Sequence, residues 1–299
     1  VGHVSLNSNK TLGLGTYESP EPHPDITATD WIWSPQDKVK RWDRSAFFVD
    51  KTLDFIDRNR GKPCFVNLWA DDVHTPWVPD GTADKKKETP KSFSAVMAEF
   101  DKQIGRLLDG LKSRGLEENT IVIFTSDNGA LPTFDGARSA GYRGNKLCLY
   151  EGGIRLPFII RWPGQIPAGK VDERSVISAV DVFPSLCALA GASTSGQPLD
   201  GLDVSAVWRG KPLAKRGPLF WEYGRNDEFF KFGPDKSPNL AVRRDNWKLL
   251  VNADGTRLEL YDLAADKKEA KNLATQKPEI VAELKQLVMG WRATWPAKK

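Results

Sequence analysis

The sequence predicts an α/β fold, a mostly parallel sheet sandwiched by helices, followed by a small C-terminal antiparallel sheet with a terminal helix. Two observations predict it. Between Asp43 and Gly191 helical periodicity alternates with short apolar runs, whereas after Pro212 strand-length runs follow one another with only turn signals between them. Domains are therefore expected at residues 1–212 and 213–299.

Residues 1–42 are rich in Pro, Asn, Ser and Thr without a period, as expected of loops. From Asp43 to Arg60, Ala46, Val49, Leu53 and Ile56 recur at helical spacing, and Gly61 marks the stop. Lys62–Ala70 (KPCFVNLWA) reads as a strand buried on both faces. A second helix carries Val96, Phe100, Ile104, Leu107, Leu108 and Leu111 along one face and ends near Gly115, and Thr120–Thr125 is the next buried strand. Pro157–Trp162 is a third apolar run, closed by Pro163-Gly164. Asp181 then stands as N-cap before the helix Val182–Ala190, which Gly191 ends. In the C-terminal part, strands are expected at Pro218–Tyr223, Leu240–Arg243, Trp247–Val251 and Arg257–Leu263, with Asp254-Gly255 turning a hairpin between the last two. Pro278 opens a helix with Ile280, Val281, Leu284, Leu287, Val288 and Trp291 on one face.

Composition narrows the classes. Lys and Arg number 43 against 39 Asp and Glu, a formal charge of +4, too small a surplus to single out nucleic acid as a partner. With 40% hydrophobic residues, 11 Trp and 14 Phe, the chain is too rich in core formers for a disordered protein. Cys64, Cys148 and Cys187 have no CxxC spacing and read as small buried hydrophobes rather than a disulfide framework. No run reaches the length of a membrane span. The start, VGHVSL, has neither Met nor a signal-peptide pattern and reads as the interior of a longer gene product.

In a sheet of this kind ligands bind beyond the carboxyl ends of the strands. Ser126-Asp127-Asn128-Gly129 follows one apolar run, offering oxygen donors for a hard cation, although Asp-Asn-Gly is also a common turn. Asp71-Asp72-Val73-His74-Thr75-Pro76 follows another; a loop histidine is either a site residue or a surface residue. Arg143 to Pro157, glycine-punctuated and basic, reads as a loop bringing Lys and Arg to an anion, or as an exposed basic loop.

Taken in order, TIVIFTSDNG, the His-Thr-Pro after a strand, KxxxYEGGxRxPFIIRWPG, DVFPSLCALAG and RRDNWKLL…LELYDL…NLA resemble the type I, formylglycine-dependent sulfatases, from about residue 43 to residue 291. The resemblance implies an alkaline-phosphatase-like fold, incomplete at its N-terminus here. It implies that Asp127 and Asn128 ligate calcium (magnesium being the less favoured ion), that Lys146 contacts the sulfate ester, and that His74 binds sulfate near the leaving oxygen. These groups suit a transition state that gains charge on its oxygens.

The formylglycine of that family arises from Cys or Ser in a C/S-x-P/A-x-R context, which none of the cysteines has; the helix-borne lysine, Gly-Lys-Trp-His and the first-strand Asp-Asp are absent as well. Asp71-Asp72 lies on the His-Thr-Pro strand and is left out of the metal set. The expectation is thus the C-terminal part of a sulfatase, with little activity alone, whose complete form acts through a covalent sulfo-enzyme intermediate. The missing N-terminal segment of the same protein is its implied partner. His23, Trp31, Trp33, Trp77, Arg138 and Arg143 suit a sulfated sugar, the Trp residues being equally explained by packing. The alternatives are a phosphodiesterase or phosphonate monoester hydrolase of the same superfamily, or a non-catalytic fragment that binds sulfated glycans. By analogy the location is periplasmic or extracellular.

Overall fold

A computed structural model describes residues 41–75, 77, 79, 89–194, 196, 198–213, 215–223 and 236–295. The chain divides into two compact units, Val1–Thr120 and Ile121–Lys299.

In the first unit, α1 (Arg44–Arg58) and α2 (Pro90–Ser113) form where the helical spacing predicts. Phe48, Val49 and Leu53 of α1 and Val96, Phe100 and Leu111 of α2 are buried. A Cβ on Gly110 would lie 2.7 Å from both Leu53 methyl carbons, so only glycine leaves Leu53 that space. Arg114 grips Asp57 through two nitrogens, at 2.9 and 2.6 Å. Thr89 caps α2 by accepting from the Ser92 N–H at 3.2 Å, and Ser92 returns the bond to the Thr89 N–H.

The segment read as a strand over Lys62–Ala70 forms no strand, and Phe65 and Trp69 are 59% and 55% exposed. Apolar runs fix strand propensity but not the presence of a neighbouring ladder, and no described segment pairs with this one. Cys64 is exposed and Cys187 half-buried, so only Cys148 is the buried small hydrophobe expected of all three.

In the second unit, β1 (Val122–Thr125) pairs with β2 (Phe158–Arg161), Phe124 opposite Ile159. The pair runs antiparallel, and among the described residues no two strands are parallel; apolar runs do not encode strand direction. After the short helix α3 (Glu151–Ile154), helix α4 (Val182–Ala190) ends on Gly191 in the left-handed conformation, φ 67°, and the single turn α5 (Ser205–Trp208) follows. Asp181 precedes it as expected, yet its carboxylate does not cap α4. It accepts from the Ser178 and Leu202 N–H groups and pairs with Arg216 at 2.8 Å, tying three segments at a fully buried position.

The C-terminal sheet has the order β3 (Leu219–Glu222), β4 (Leu240–Arg244), β5 (Trp247–Val251), β6 (Glu259–Asp262), all antiparallel. Strand alternation separates its two faces. Leu240, Val242, Leu249, Val251 and Leu260 meet Val281, Leu284 and Val288 of α6 (Pro278–Ala293). Ala241, Leu250 and Tyr261 face the other way, onto Cys148, Leu149 and Tyr150. The same alternation puts Lys248 on this second face, beneath the segment that carries Lys146.

Candidate active site

Two segments of the second unit form the candidate site. Asp127 and Asn128 leave the end of β1, and Gly129 makes a backbone approach to the Tyr150-Glu151-Gly152-Gly153 turn. A Cβ on Gly129 would lie 2.0 Å from the Gly152 carbonyl oxygen, and one on Gly152 would lie 2.1 Å from the Gly144 carbonyl oxygen. The Gly129 N–H donates to Gly153 O at 2.9 Å, and the Gly152 N–H donates to Arg143 O at 2.7 Å. The Lys146 N–H donates to Ala130 O at 2.7 Å, which sets the lysine beside the Asp-Asn pair along the backbone. Leu147, next to it, holds φ 79°, an uncommon conformation for a residue other than glycine and one that the surrounding bonds must impose.

The Asp127-Asn128 turn is held by local hydrogen bonds. Asn128 Nδ2 donates to Asp127 Oδ2, and Ser126 donates to Asn128 O at 3.1 Å. Among the described residues Lys146, half-buried, has no carboxylate within ion-pair distance, and neither has Asp127 a cation. A carboxylate and an amide oxygen donor, adjacent on one turn, are the donor chemistry of a hard cation. No group of three or more His, Cys, Asp or Glu side chains suited to a metal occurs among the described residues.

His74 lies in the first unit. Its Nδ1–H donates to Thr75 O at 2.7 Å, which assigns the proton of the neutral ring to Nδ1 and leaves Nε2 as the acceptor nitrogen. Asp71 accepts from Arg44 at 2.6 Å and buried Asp72 accepts from the Ser45 hydroxyl, so both acids anchor the histidine loop on α1.

The expected substrate contacts fare differently. Trp77 is 2% exposed, packed on Phe93 with centroids 5.0 Å apart and donating to Val73 O at 3.3 Å. That corrects its assignment as a sugar platform, because stacking needs an open ring face. Arg143 donates to the Tyr261 hydroxyl at 2.8 Å and to Glu269 O at 3.1 Å, and lies 4.0 Å over the Tyr150 ring. Arg138, after β1, donates to Thr133 at 3.5 Å. His23, Trp31 and Trp33 lie outside the described residues.

Sequence reasoning missed a buried polar layer under the site. Lys248 Nζ lies 2.9 Å from Glu151 Oε1 and 2.8 Å from Glu269 Oε1, with Lys248 and Glu269 both fully buried. The Tyr150 and Tyr261 hydroxyls both donate to Glu259 at 2.8 Å, and burial together with that carboxylate pushes both phenols well above their ordinary range. A lysine inside the otherwise apolar strand run WKLLV was the legible signal; Glu269, far along the chain in a turn, carried none.

Burial pushes the Glu151 carboxyl up, but Lys248, with Arg243 and Arg155, outweighs it and holds the group below the usual range. A depressed folded-state pKa contributes stability above the unfolded value of about 4.3, lost as pH falls through the folded value. Glu151→Gln is therefore expected to unfold more easily than wild type at pH 6–7, the gap closing below about pH 4. Urea midpoints across that range check it, and a gap that persists at the acid end would contradict it.

Residues 20–192 match the sulfatase family model, and residues 142–293 match that of the N-sulphoglucosamine sulphohydrolase C-terminal region. The chain is 31% identical over 278 residues to an N-acetylgalactosamine-6-O-sulfatase of Bacteroides thetaiotaomicron, covering 86% of this chain and 53% of that protein. A structure solved in work on the metabolism of multiple glycosaminoglycans by Bacteroides thetaiotaomicron superposes with TM-score 0.69 at 28% identity, over 85% of this chain and 55% of that one. A phosphonate monoester hydrolase of Agrobacterium radiobacter, at 23% identity and TM-score 0.61 over 86% of this chain and 62% of that one, shares the fold. The chain spans about half the length of the curated relatives it matches. No described helix is long and apolar enough to cross a membrane. With its alkaline-phosphatase-like fold and both family models matched in order, the chain belongs to the sulfatase family.

Proposed function

We propose that this chain carries the lysine, histidine and two cation ligands of a sulfatase that hydrolyses a sulfate monoester on a carbohydrate, acting outside the cytoplasm. The observation that carries this is Lys146, half-buried in a loop built on close glycine contacts, with no counterion among the described residues and a hydrogen bond tying its backbone to the segment after Asp127-Asn128. An ammonium so held is suited to a sulfate oxygen that gains charge as the S–O bond breaks. His74, its Nδ1 engaged by Thr75 O, offers Nε2, when protonated, to the leaving alkoxide. Asp127 and Asn128 would hold calcium, which would supply positive charge to the sulfate oxygens. A formylglycine would supply the nucleophile; these 299 residues contain no C/S-x-P/A-x-R precursor for one. Arg138 and Arg143 are the remaining candidates for contacts to sugar or sulfate. The carbohydrate reading is supported by the N-acetylgalactosamine-6-O-sulfatase among the relatives.

The test is an assay of this chain, and of a longer form bearing the formylglycine, on 4-nitrophenyl sulfate and on sulfated galactose, N-acetylgalactosamine and glucosamine. Turnover is expected only from the longer form, and EGTA should remove it. Turnover by the 299-residue chain would overturn the placement of the nucleophile. Faster hydrolysis of a phosphonate monoester than of any sulfate would overturn the substrate class, and binding without turnover in the longer form would leave a glycan binder.

A further inference from the structure

We propose that Lys248, Glu151 and Glu269 form a buried charged clamp that positions Lys146 and the Asp127-Asn128 pair, which makes them positioning residues for the reaction; this rests on the sulfatase reading above. Four observations converge on it. Lys248 sits on the sheet face turned toward the Cys148–Tyr150 segment, fully buried, with one carboxylate at 2.9 Å and the other at 2.8 Å. Glu269 reaches across to the turn through its other oxygen, accepting from the Glu151 N–H at 2.6 Å. Its own backbone is left-handed, φ 52°, a disfavoured state for a glutamate that persists only where the surroundings demand it. Glu151 opens the short helix α3 (Glu151–Ile154), whose Gly152 and Gly153 bear directly on Gly129 and on Arg143.

Stability alone does not account for such a cluster. A buried ion triad is commonly no more stabilising than well-packed apolar side chains of equal volume, because desolvation offsets the attraction. What the charges add is direction: apolar contacts tolerate sliding, whereas a lysine shared between two carboxylates fixes the turn in one place. The turn is the common support of both site segments. Gly129 hydrogen-bonds to Gly153 just after Asp127-Asn128, and Lys146 hydrogen-bonds to Ala130. A shift of Glu151 thus displaces ligand pair and lysine together.

Hydrogen exchange on the 299-residue chain tests this without substrate, so its failure and the failure of the sulfatase reading are separate results. In the wild type, the Gly129, Lys146, Glu151 and Gly152 amides are expected to exchange through one shared opening. The variant Lys248→Met/Glu151→Gln/Glu269→Gln removes the charge of all three members at similar volume and leaves only Arg155, 40% exposed and 3.6 Å from Glu151 in the wild type, to turn to solvent. It is expected to fold while the Gly129 and Lys146 amides exchange about tenfold faster or more. Lys248→Arg, which keeps the charge, should restore much of the protection where Lys248→Met alone does not. Wild-type exchange at Gly129 and Lys146 in the folded triple variant would overturn the clamp. So would wild-type amides at those two positions that open independently of Glu151, a result that needs no variant to fold.

Discussion

Lys146→Ala, in the formylglycine-bearing form of the protein, is expected to lower kcat/KM for a sulfate ester by about 10²–10³-fold, the usual cost of removing one preorganised group from a developing oxyanion. Among the described residues the lysine side chain makes no ion pair, so its loss leaves no buried partner uncompensated. The thermal midpoint should therefore change little while the rate collapses. Lys146→Arg keeps the charge but changes its shape and reach, and should fall between the two. Steady-state kinetics on 4-nitrophenyl sulfate beside a thermal melt distinguish the outcomes. A near-wild-type rate for the alanine variant would remove Lys146 from the site, and a melt lowered in step with the rate would make its role structural.

Gly152→Ala should have the largest effect on stability. The added methyl would stand 2.1 Å from Gly144 O and 2.6 Å from Arg143 O, and on the facing segment the Gly129 Cβ position is itself 2.0 Å from Gly152 O. These neighbours are backbone, held by the bonds that seat the turn, so relief requires the two segments to separate. The expected cost is at least about 3 kcal/mol, the upper end for overpacking, with the Lys146 amide losing protection as the turn lifts. Gly105, inside α2, is the internal control. Nothing lies within 4 Å of its Cβ position, so Gly105→Ala is expected to stabilise by about 0.5–1 kcal/mol through helix propensity. Urea unfolding of both variants decides the matter: a Gly152→Ala protein within about 1 kcal/mol of wild type would show that the turn yields.

The opposite signs expected for these two glycines illustrate what could be read from the sequence. Helical spacing placed α1, α2, α4 and α6, and alternation with turn residues placed the four strands of the C-terminal sheet, because local periodicity is governed by which face is buried. The motifs around Asp127-Asn128 and Lys146 that carry the resemblance are short and ordered along the chain, within the stretch that matches the sulfatase family model. Strand partners were not legible. The apolar run at residues 62–70 stays unpaired among the described residues, and β1 and β2 run antiparallel, because pairing and direction are properties of two segments and not of one. Trp77 could be read as a sugar platform or as packing, and only its contact with Phe93 decided for packing.

The amino-acid order by itself thus determined the family, the longer helices, the strands of the C-terminal sheet and the candidate residues for the chemistry. Tertiary structure alone decided which charges meet in the buried layer beneath the candidate site. Glu151, Lys248 and Glu269 lie 97 and 21 residues apart in sequence, and their ion pairs exist only because strand alternation turns Lys248 toward the Glu151 turn while the chain after β6 brings Glu269 to the same buried point. Burial then makes each charge depend on the others, a long-range electrostatic condition that no local pattern of residues encodes.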